Sequence, residues 1–218
     1  MSIKIDPEVI DEVKRIFNGL KRPVTLHFFK TSIRECKYCE DVEYIVDTIS
    51  NLSPLISTIK HEEGKEEDKR FNINMYPAII VHSEEEYNIR FFGIPAGEEF
   101  GVLVNTILAA STGNIYLNKS TIEEIKRIEE NVHIRVFVTP ACPYCPHMAW
   151  KACMFALANR RITTDIIEAS EFPELVEKYN IFAVPKVVIN DKVEFEGLVS
   201  ERIFLKRLLR AIRKSSTT

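Results

Sequence analysis

The sequence predicts an α/β protein of two homologous units in tandem, each a mixed sheet flanked by helices, with the units packed against each other. Three observations lead there. Four segments recur in the same order along the chain, at offsets of 112, 106, 108 and 104 residues. Apolar residues alternate in some stretches with a period of two and in others with the helical period. With 218 residues, 45% hydrophobic and 28% charged, the chain has the length for two small domains and the composition of an ordinary globular protein.

The repeat comes first. Ile10-Asp-Glu-Val-Lys-Arg-Ile16 returns as Ile122-Glu-Glu-Ile-Lys-Arg-Ile128, and Cys36-Lys-Tyr-Cys39 returns as Cys142-Pro-Tyr-Cys145. Phe71-Asn-Ile-Asn-Met-Tyr-Pro77 returns as Tyr179-Asn-Ile-Phe-Ala-Val-Pro185, and a glycine closes each copy, Gly93 and Gly197. The units are expected at 1–116 and 117–218, joined near Gly113 to Leu117.

The second unit reads more easily. Ser120 and Glu123 suggest a capping box for a helix with Ile122, Ile125 and Ile128 on one stripe. His133 to Thr139 alternates as a strand. Cys142 to Asn159 has helical periodicity, Ile162 to Ile167 is a second strand and Pro173 to Tyr179 a short helix. Lys186–Ile189 and Val193–Glu196 flank Asn190-Asp191, a hairpin turn pair. Ser200 caps a last helix bearing Leu205, Leu208, Leu209 and Ile212. The order is αβαβαββα. The first unit repeats it with a longer hairpin near Ser83 to Tyr87 and a charged run, His61 to Arg70, read as a solvated loop leading into a short helix.

Several classes fall away. A net charge of −3 argues against a nucleic-acid partner, and no apolar run approaches the ~20 residues of a membrane span. The N-terminus lacks the apolar core of a secretory signal, so the expected compartment is the cytoplasm. Glutamine is absent and glycine numbers only 7, a bias expected of a thermophile.

Four of the five cysteines form two C-x-x-C pairs at strand-to-helix junctions, each expected to place its first cysteine at a helix N-terminus. There the helix dipole favours a thiolate, and the second cysteine, one turn on, is close enough to close a disulfide. Such a pair reads as a redox dithiol. Zinc is the alternative, but zinc ribbons place their two pairs ~15–20 residues apart. Tyr76-Pro77 and Val184-Pro185 stand at matching places before a strand, where X-Pro offers the only cheap route to a cis peptide.

With these residues in view the sequence resembles the glutaredoxins and thioredoxins. The doubled set resembles the protein disulfide oxidoreductases of archaea and thermophilic bacteria, over nearly the whole chain. The resemblance implies two tandem thioredoxin/glutaredoxin-like units, cis Pro77 and Pro185, and disulfide reductase, oxidase and isomerase activity. It implies Cys36, Cys39, Cys142 and Cys145 as catalytic residues with no cofactor beyond their disulfides and no metal. Tyr76, Pro77, Val184 and Pro185 are expected to bind disulfide-containing protein substrates by adding a strand. A thioredoxin-reductase-like flavoprotein is implied as electron donor. Two other functions compete: an electron-relay module for a peroxidase, and a zinc-stapled binding module. The buried aspartate of thioredoxin is missing, since neither Leu26 to Phe29 nor Ile134 to Val138 carries a carboxylate.

The two sites are expected to differ. Glu35, Glu40 and Asp41 surround Cys36, whereas Cys142 has Ala141, Pro143 and His147 nearby. Carboxylates disfavour a thiolate, so the second site is expected to be the more oxidising and His147 to tune it. Cys153 is expected to be structural, at the place of Asp47 in the first unit. His27, His61, His82 and His133 show no metal spacing. Val102 to Ala110, apolar almost all round, is expected in the interface between units, or failing that between separate chains.

Overall fold

Asp6 opens the first helix, α1 (Pro7–Phe17), by accepting the Glu8 N–H at 2.8 Å, with Pro7 at the first helical position. The computed structural model describes residues 3–215. Along the first half follow β1 (Val24–Lys30), α2 (Cys39–Asn51), β2 (Ile56–Glu62), α3 (Glu66–Arg70), β3 (Ala78–His82), β4 (Ile89–Phe92) and α4 (Glu98–Thr112). The second half repeats the order as α5 (Lys119–Lys126), β5 (Val132–Val138), α6 (Cys145–Ala158), β6 (Ile162–Glu168), α7 (Pro173–Lys178), β7 (Lys186–Ile189), β8 (Val193–Glu196) and α8 (Glu201–Ser215). A single 3₁₀ turn, Ala169–Glu171, follows β6.

The eight strands form one sheet in the order β2-β1-β3-β4-β6-β5-β7-β8. The halves therefore do not carry separate sheets. They join where β4 pairs parallel with β6, from Ile89↔Thr164 to Phe92↔Ile167. The repeat explains why these strands lie inside and their counterparts outside. At the place of Lys60 and His61 in β2, β6 has Ile166 and Ile167; at the place of Glu196 in β8, β4 has Phe92. All four β4 residues are buried, whereas β8 alternates buried and exposed. Where β8 has Glu194, β4 has Arg90, whose guanidinium grips Asp165 of β6 with Nε–Oδ1 2.6 Å and Nη2–Oδ2 2.9 Å. Burial alone would raise the Asp165 pKa, but the His133 ring at 2.6 Å and Arg90 together hold it below the usual carboxylate value.

On one face of the sheet α4 packs on α6 across the junction. Val102, Leu103 and Ile107 of α4 are buried, and so are Ala149, Ala152 and Cys153 of α6, small residues that admit a close helix approach. The apolar helix thus lies between the halves, within one chain. On the other face Phe29, Phe92, Phe137, Phe172 and Tyr179 build a second core.

Two sequence expectations are corrected. Helix α5 starts at Lys119, with Asn118 as its cap residue. Ser120 does not cap it, because Glu201 of α8 accepts the Asn118 backbone N–H and side-chain amide, both at 3.0 Å. The charged run from His61 is strand through Glu62, because Phe29↔His61 and Lys30↔Glu62 continue the pairing with β1. Ser200 does cap α8, accepting the Ile203 N–H at 3.4 Å.

Candidate active sites

The carboxyl ends of β1 and β5 lie along the same rim of the sheet, with β3, β4 and β6 between them. Four strand spacings of about 4.8 Å set the two C-x-x-C turns roughly 19 Å apart. Each pair is a disulfide, Cys36–Cys39 and Cys142–Cys145, with Cα–Cα 5.5 Å in both. Four thiolates on one zinc would require the pairs to meet, and they do not. Among the described residues no group of three His, Cys, Asp or Glu side chains is arranged to hold a metal.

The helices begin three residues later than the sequence suggested, at the second cysteine of each pair: α2 at Cys39 and α6 at Cys145. Cys142 donates its N–H to the Thr139 carbonyl, and Cys145 to the Cys142 carbonyl. This three-residue spacing belongs to a turn that gives way to α-helix only at the second cysteine. The first cysteine of each pair therefore sits in the turn. Cys36 is half-buried and Cys39 is buried; Cys142 is 8% exposed and Cys145 fully buried. The Cys145 N–H also points at Cys142 Sγ, 3.1 Å away, a dipole that favours negative charge on that sulfur.

Both predicted X-Pro bonds, Tyr76-Pro77 and Val184-Pro185, are cis. Cys142 Sγ lies 3.6 Å from the Val184 carbonyl oxygen, so Cys142, Cys145, Val184 and Pro185 form one constellation. Tyr76-Pro77 immediately precedes β3, whose Ala78 pairs with Phe29 near the end of β1. The Pro77 carbonyl accepts the Gly93 N–H at 2.9 Å, and the Pro185 carbonyl accepts the Gly197 N–H at 2.8 Å. Each loop leading to its proline turns at a left-handed asparagine, Asn72 (φ 52°) or Asn180 (φ 47°). In the first half Arg90 Nη1 holds the Phe71 and Asn72 carbonyls at 3.1 and 2.9 Å; in the second Lys186 Nζ holds those of Tyr179 and Asn180 at 2.7 and 3.0 Å.

The surroundings diverge. At the first site Arg34 pairs with Glu63 (Nη2–Oε1 2.7 Å) and its guanidinium stands 5.1 Å from the Tyr76 ring centre. Burial, followed by a hydrogen bond with Asp68, pushes the Tyr76 hydroxyl pKa well up. Glu171, from the other half, accepts the Ile94 N–H at 2.6 Å, and burial raises its pKa to about 7. A Cβ at Gly93 would fall 2.6 Å from Glu171 Oε1, whereas at Gly197 it would meet nothing within 4 Å. At the second site Tyr144, Phe182 and Leu198 stand exposed. His147 is exposed and lines the groove between α4 and α6 with Glu98 and Trp150.

Between the sites lies a feature the sequence did not reveal. Glu99 of α4 and Glu168 at the end of β6 are buried around a cavity of about 10 Å³ that Gly93 and Val138 also line. Neither Glu99 oxygen has a partner, and burial raises its pKa to about 7. It can therefore gain and lose a proton near neutrality. In the sequence Glu98-Glu99 looks like ordinary acidic residues opening a helix. Cys153 is fully buried, and burial pushes its thiol pKa up to about 12, far from a reactive thiolate.

Two dithiol turns on one rim of a doubled sheet give this chain a tandem thioredoxin-type fold with two cysteine pairs placed for thiol–disulfide exchange. Residues 132–210 match the family model described as thioredoxin domain. Over the whole chain the likeness is to a protein disulfide oxidoreductase from Aeropyrum pernix, 29% identical with a TM-score of 0.86, covering 94% of this chain and 93% of that one. The N-terminal domain of the alkylhydroperoxide reductase of Enterococcus faecalis shares the fold, with a TM-score of 0.87 at 20% identity, covering 94% of this chain and 100% of that one. Among curated relatives, an alkyl hydroperoxide reductase component of Staphylococcus aureus is 28% identical over 180 residues and an NADH dehydrogenase of Bacillus subtilis 29% over 181. Each alignment covers 83% of this chain, which spans about a third of those relatives. Among the described residues no helix is long and apolar enough to cross a membrane.

Proposed function

We propose that this chain reduces, forms and isomerises disulfide bonds in cytoplasmic proteins, with 1–116 and 117–218 acting as two redox units. Cys36 and Cys142 attack; Cys39 and Cys145 resolve. In the reducing direction the Cys142 thiolate attacks one sulfur of a target disulfide. An S–S bond forms between enzyme and target, the target bond breaks, and the other target sulfur leaves as a thiolate. Cys145 then gives up its proton and attacks Cys142 Sγ. The intramolecular disulfide forms, the second target thiolate leaves, and two protons end on the target thiols. Two electrons pass from enzyme dithiol to target disulfide. Run backwards, the same steps oxidise a target dithiol.

The observation that carries this reading is the Cys142 sulfur 3.6 Å from the Val184 carbonyl, with its partner Cys145 buried behind it. An extended target segment that pairs with the main chain of Val184, or of Tyr76, brings its disulfide to the attacking sulfur with little demand on side chains. A thioredoxin-reductase-like flavoprotein would restore the dithiols.

The test is thiol alkylation and mass spectrometry across a graded redox buffer, with turnover of a disulfide-bonded and of a scrambled test protein. Two independent dithiol–disulfide transitions with Cys153 staying free, and catalytic turnover of both proteins, are expected. Absence of turnover with intact transitions would leave only a redox-active fold. A second reading, electron relay to a peroxidase, is favoured by the likeness to the alkyl hydroperoxide reductase component of Staphylococcus aureus. Turnover with one peroxiredoxin and with no general protein disulfide would select it.

A further inference from the structure

Phe182 is 89% exposed, the most exposed large apolar side chain among the described residues. It lies two residues before Val184, whose carbonyl faces Cys142 Sγ. Tyr144, two residues past Cys142, is 57% exposed, and Leu198, next to the glycine that holds the Pro185 carbonyl, is 47% exposed. Three large exposed side chains thus lie on the segments that carry the second disulfide, its cis proline and the glycine held to that proline.

The first half supplies an internal control. In the repeat Phe182 corresponds to Asn74, Leu198 to Ile94 and Tyr144 to Tyr38. Asn74 is exposed and polar, Ile94 is buried with its N–H on Glu171, and Tyr38 has the Lys37 ammonium 4.8 Å from its ring centre. The two halves keep the same dithiol, the same cis proline and the same glycine contact; the first site has one exposed apolar side chain, Ile33 before Cys36, whereas only the second has one on the loop that leads to its cis proline. Since an exposed phenylalanine contributes no burial to the fold, the contrast belongs to what the site meets.

Resting on the oxidoreductase reading above, we propose that Phe182 determines the specificity of the second site, selecting extended protein segments that carry an apolar side chain two positions from the disulfide cysteine. Strand geometry sets that spacing. If the target pairs with the main chain at Val184, residues two apart project to the same face. The side chain two positions from the cysteine is then carried toward the segment that bears Phe182, two residues from Val184.

The test uses the full chain with Cys36→Ser and Cys39→Ser, pre-reduced, in single-turnover oxidation by peptide disulfides. The peptides carry either leucine or aspartate two positions to both sides of the cysteine, and 2-hydroxyethyl disulfide serves as a side-chain-free control. A preference for leucine of about tenfold is expected, equivalent to about 1.4 kcal/mol. Phe182→Asn should bring that preference close to one and Phe182→Leu should restore most of it, with the rate on 2-hydroxyethyl disulfide changing less than twofold. A preference that survives Phe182→Asn, or that the parent lacks, overturns the inference and leaves the oxidoreductase reading standing. If none of the disulfides, including 2-hydroxyethyl disulfide, oxidises the parent, the oxidoreductase reading itself fails.

Discussion

The two halves solve one backbone problem in two ways. Each loop before its proline turns at a left-handed asparagine and leaves two carbonyls needing a donor. In the first half the cation is Arg90 on β4; in the second it is Lys186, one residue past the proline. The counterparts have exchanged roles, because the position of Arg90 is held by Glu194, which pairs with Lys186 at 3.1 Å. What the repeat preserves is a pair of satisfied carbonyls and not a residue. The freedom to move the cation allowed Arg90 a second task at the junction, where it neutralises Asp165. Glu171 closes the Gly93 side of the first site because the halves meet there, while the matching Gly197 side of the second site stays open.

The largest expected effect separates the sites outright. In single-turnover reduction of protein disulfides, Cys142→Ser should lower the rate at the second site by at least about 10³-fold, since an alcohol is no substitute for a thiolate. Cys36→Ser with Cys39→Ser should leave that site's rate within a few fold. Equal losses would mean that electrons must pass through both.

Next comes the junction. Arg90→Leu leaves the Asp165 carboxylate buried with one partner fewer and should destabilise the chain by about 3–5 kcal/mol in chemical denaturation. It should also weaken the first site more than the second, because the Phe71 and Asn72 carbonyls lose their donor. Equal weakening of both sites would deny Arg90 this double duty.

Glu99 gives a pH-dependent effect. Its folded pKa of about 7 lies above the ordinary 4.5, so the folded state holds the proton more tightly than the unfolded chain. Stability from this group is therefore present below about pH 4.5 and lost as the pH rises through 7. Glu99→Gln removes that loss and should stabilise the protein at pH 8 by roughly 2–3 kcal/mol, with almost no gain at pH 4. A gain independent of pH would argue against a buried, unpaired carboxyl. Smaller still is the difference in potential. Alkylation across redox buffers should find Cys142–Cys145 reduced at the milder poise, by on the order of 30 mV, or about 1.4 kcal/mol. Reduction of Cys36–Cys39 first would reverse the assignment. The least effect is expected from Asn74→Phe at the first site, which should confer less than a twofold preference for leucine-bearing peptides, because Ile94, the counterpart of Leu198, is buried there with its N–H on Glu171.

Much of this was legible in the sequence. Periodicity located the strands, and the repeat placed both cysteine pairs and both prolines in register, since local pattern and spacing carry that information. The single sheet was not legible, because pairing of β4 with β6 depends on two short apolar runs matching across halves, and Phe92 or Ile166 reads equally well as ordinary core. Glu99 was hidden for the opposite reason: a glutamate in the first turn of a helix is commonplace, and only its position against the ends of β4, β5 and β6 removes it from water. Phe182 sits in Ile-Phe-Ala-Val, a run that suggests burial, and only the loop geometry exposes it. The capping of α5 by Glu201 involves a contact 83 residues distant, beyond any local signal.

Joining the halves strand to strand has a consequence for how copies of this protein meet. A parallel β4–β6 contact between one chain and the next, repeated, would propagate an endless ribbon. Within one chain it is satisfied internally, and among the described strands two margins remain open, β2 and β8. β2 carries Lys60 and Glu62, and β8 carries Glu194 and Glu196, charges that discourage another strand from adding there. The charges on both margins thus act against the very strand pairing that joins the two halves inside.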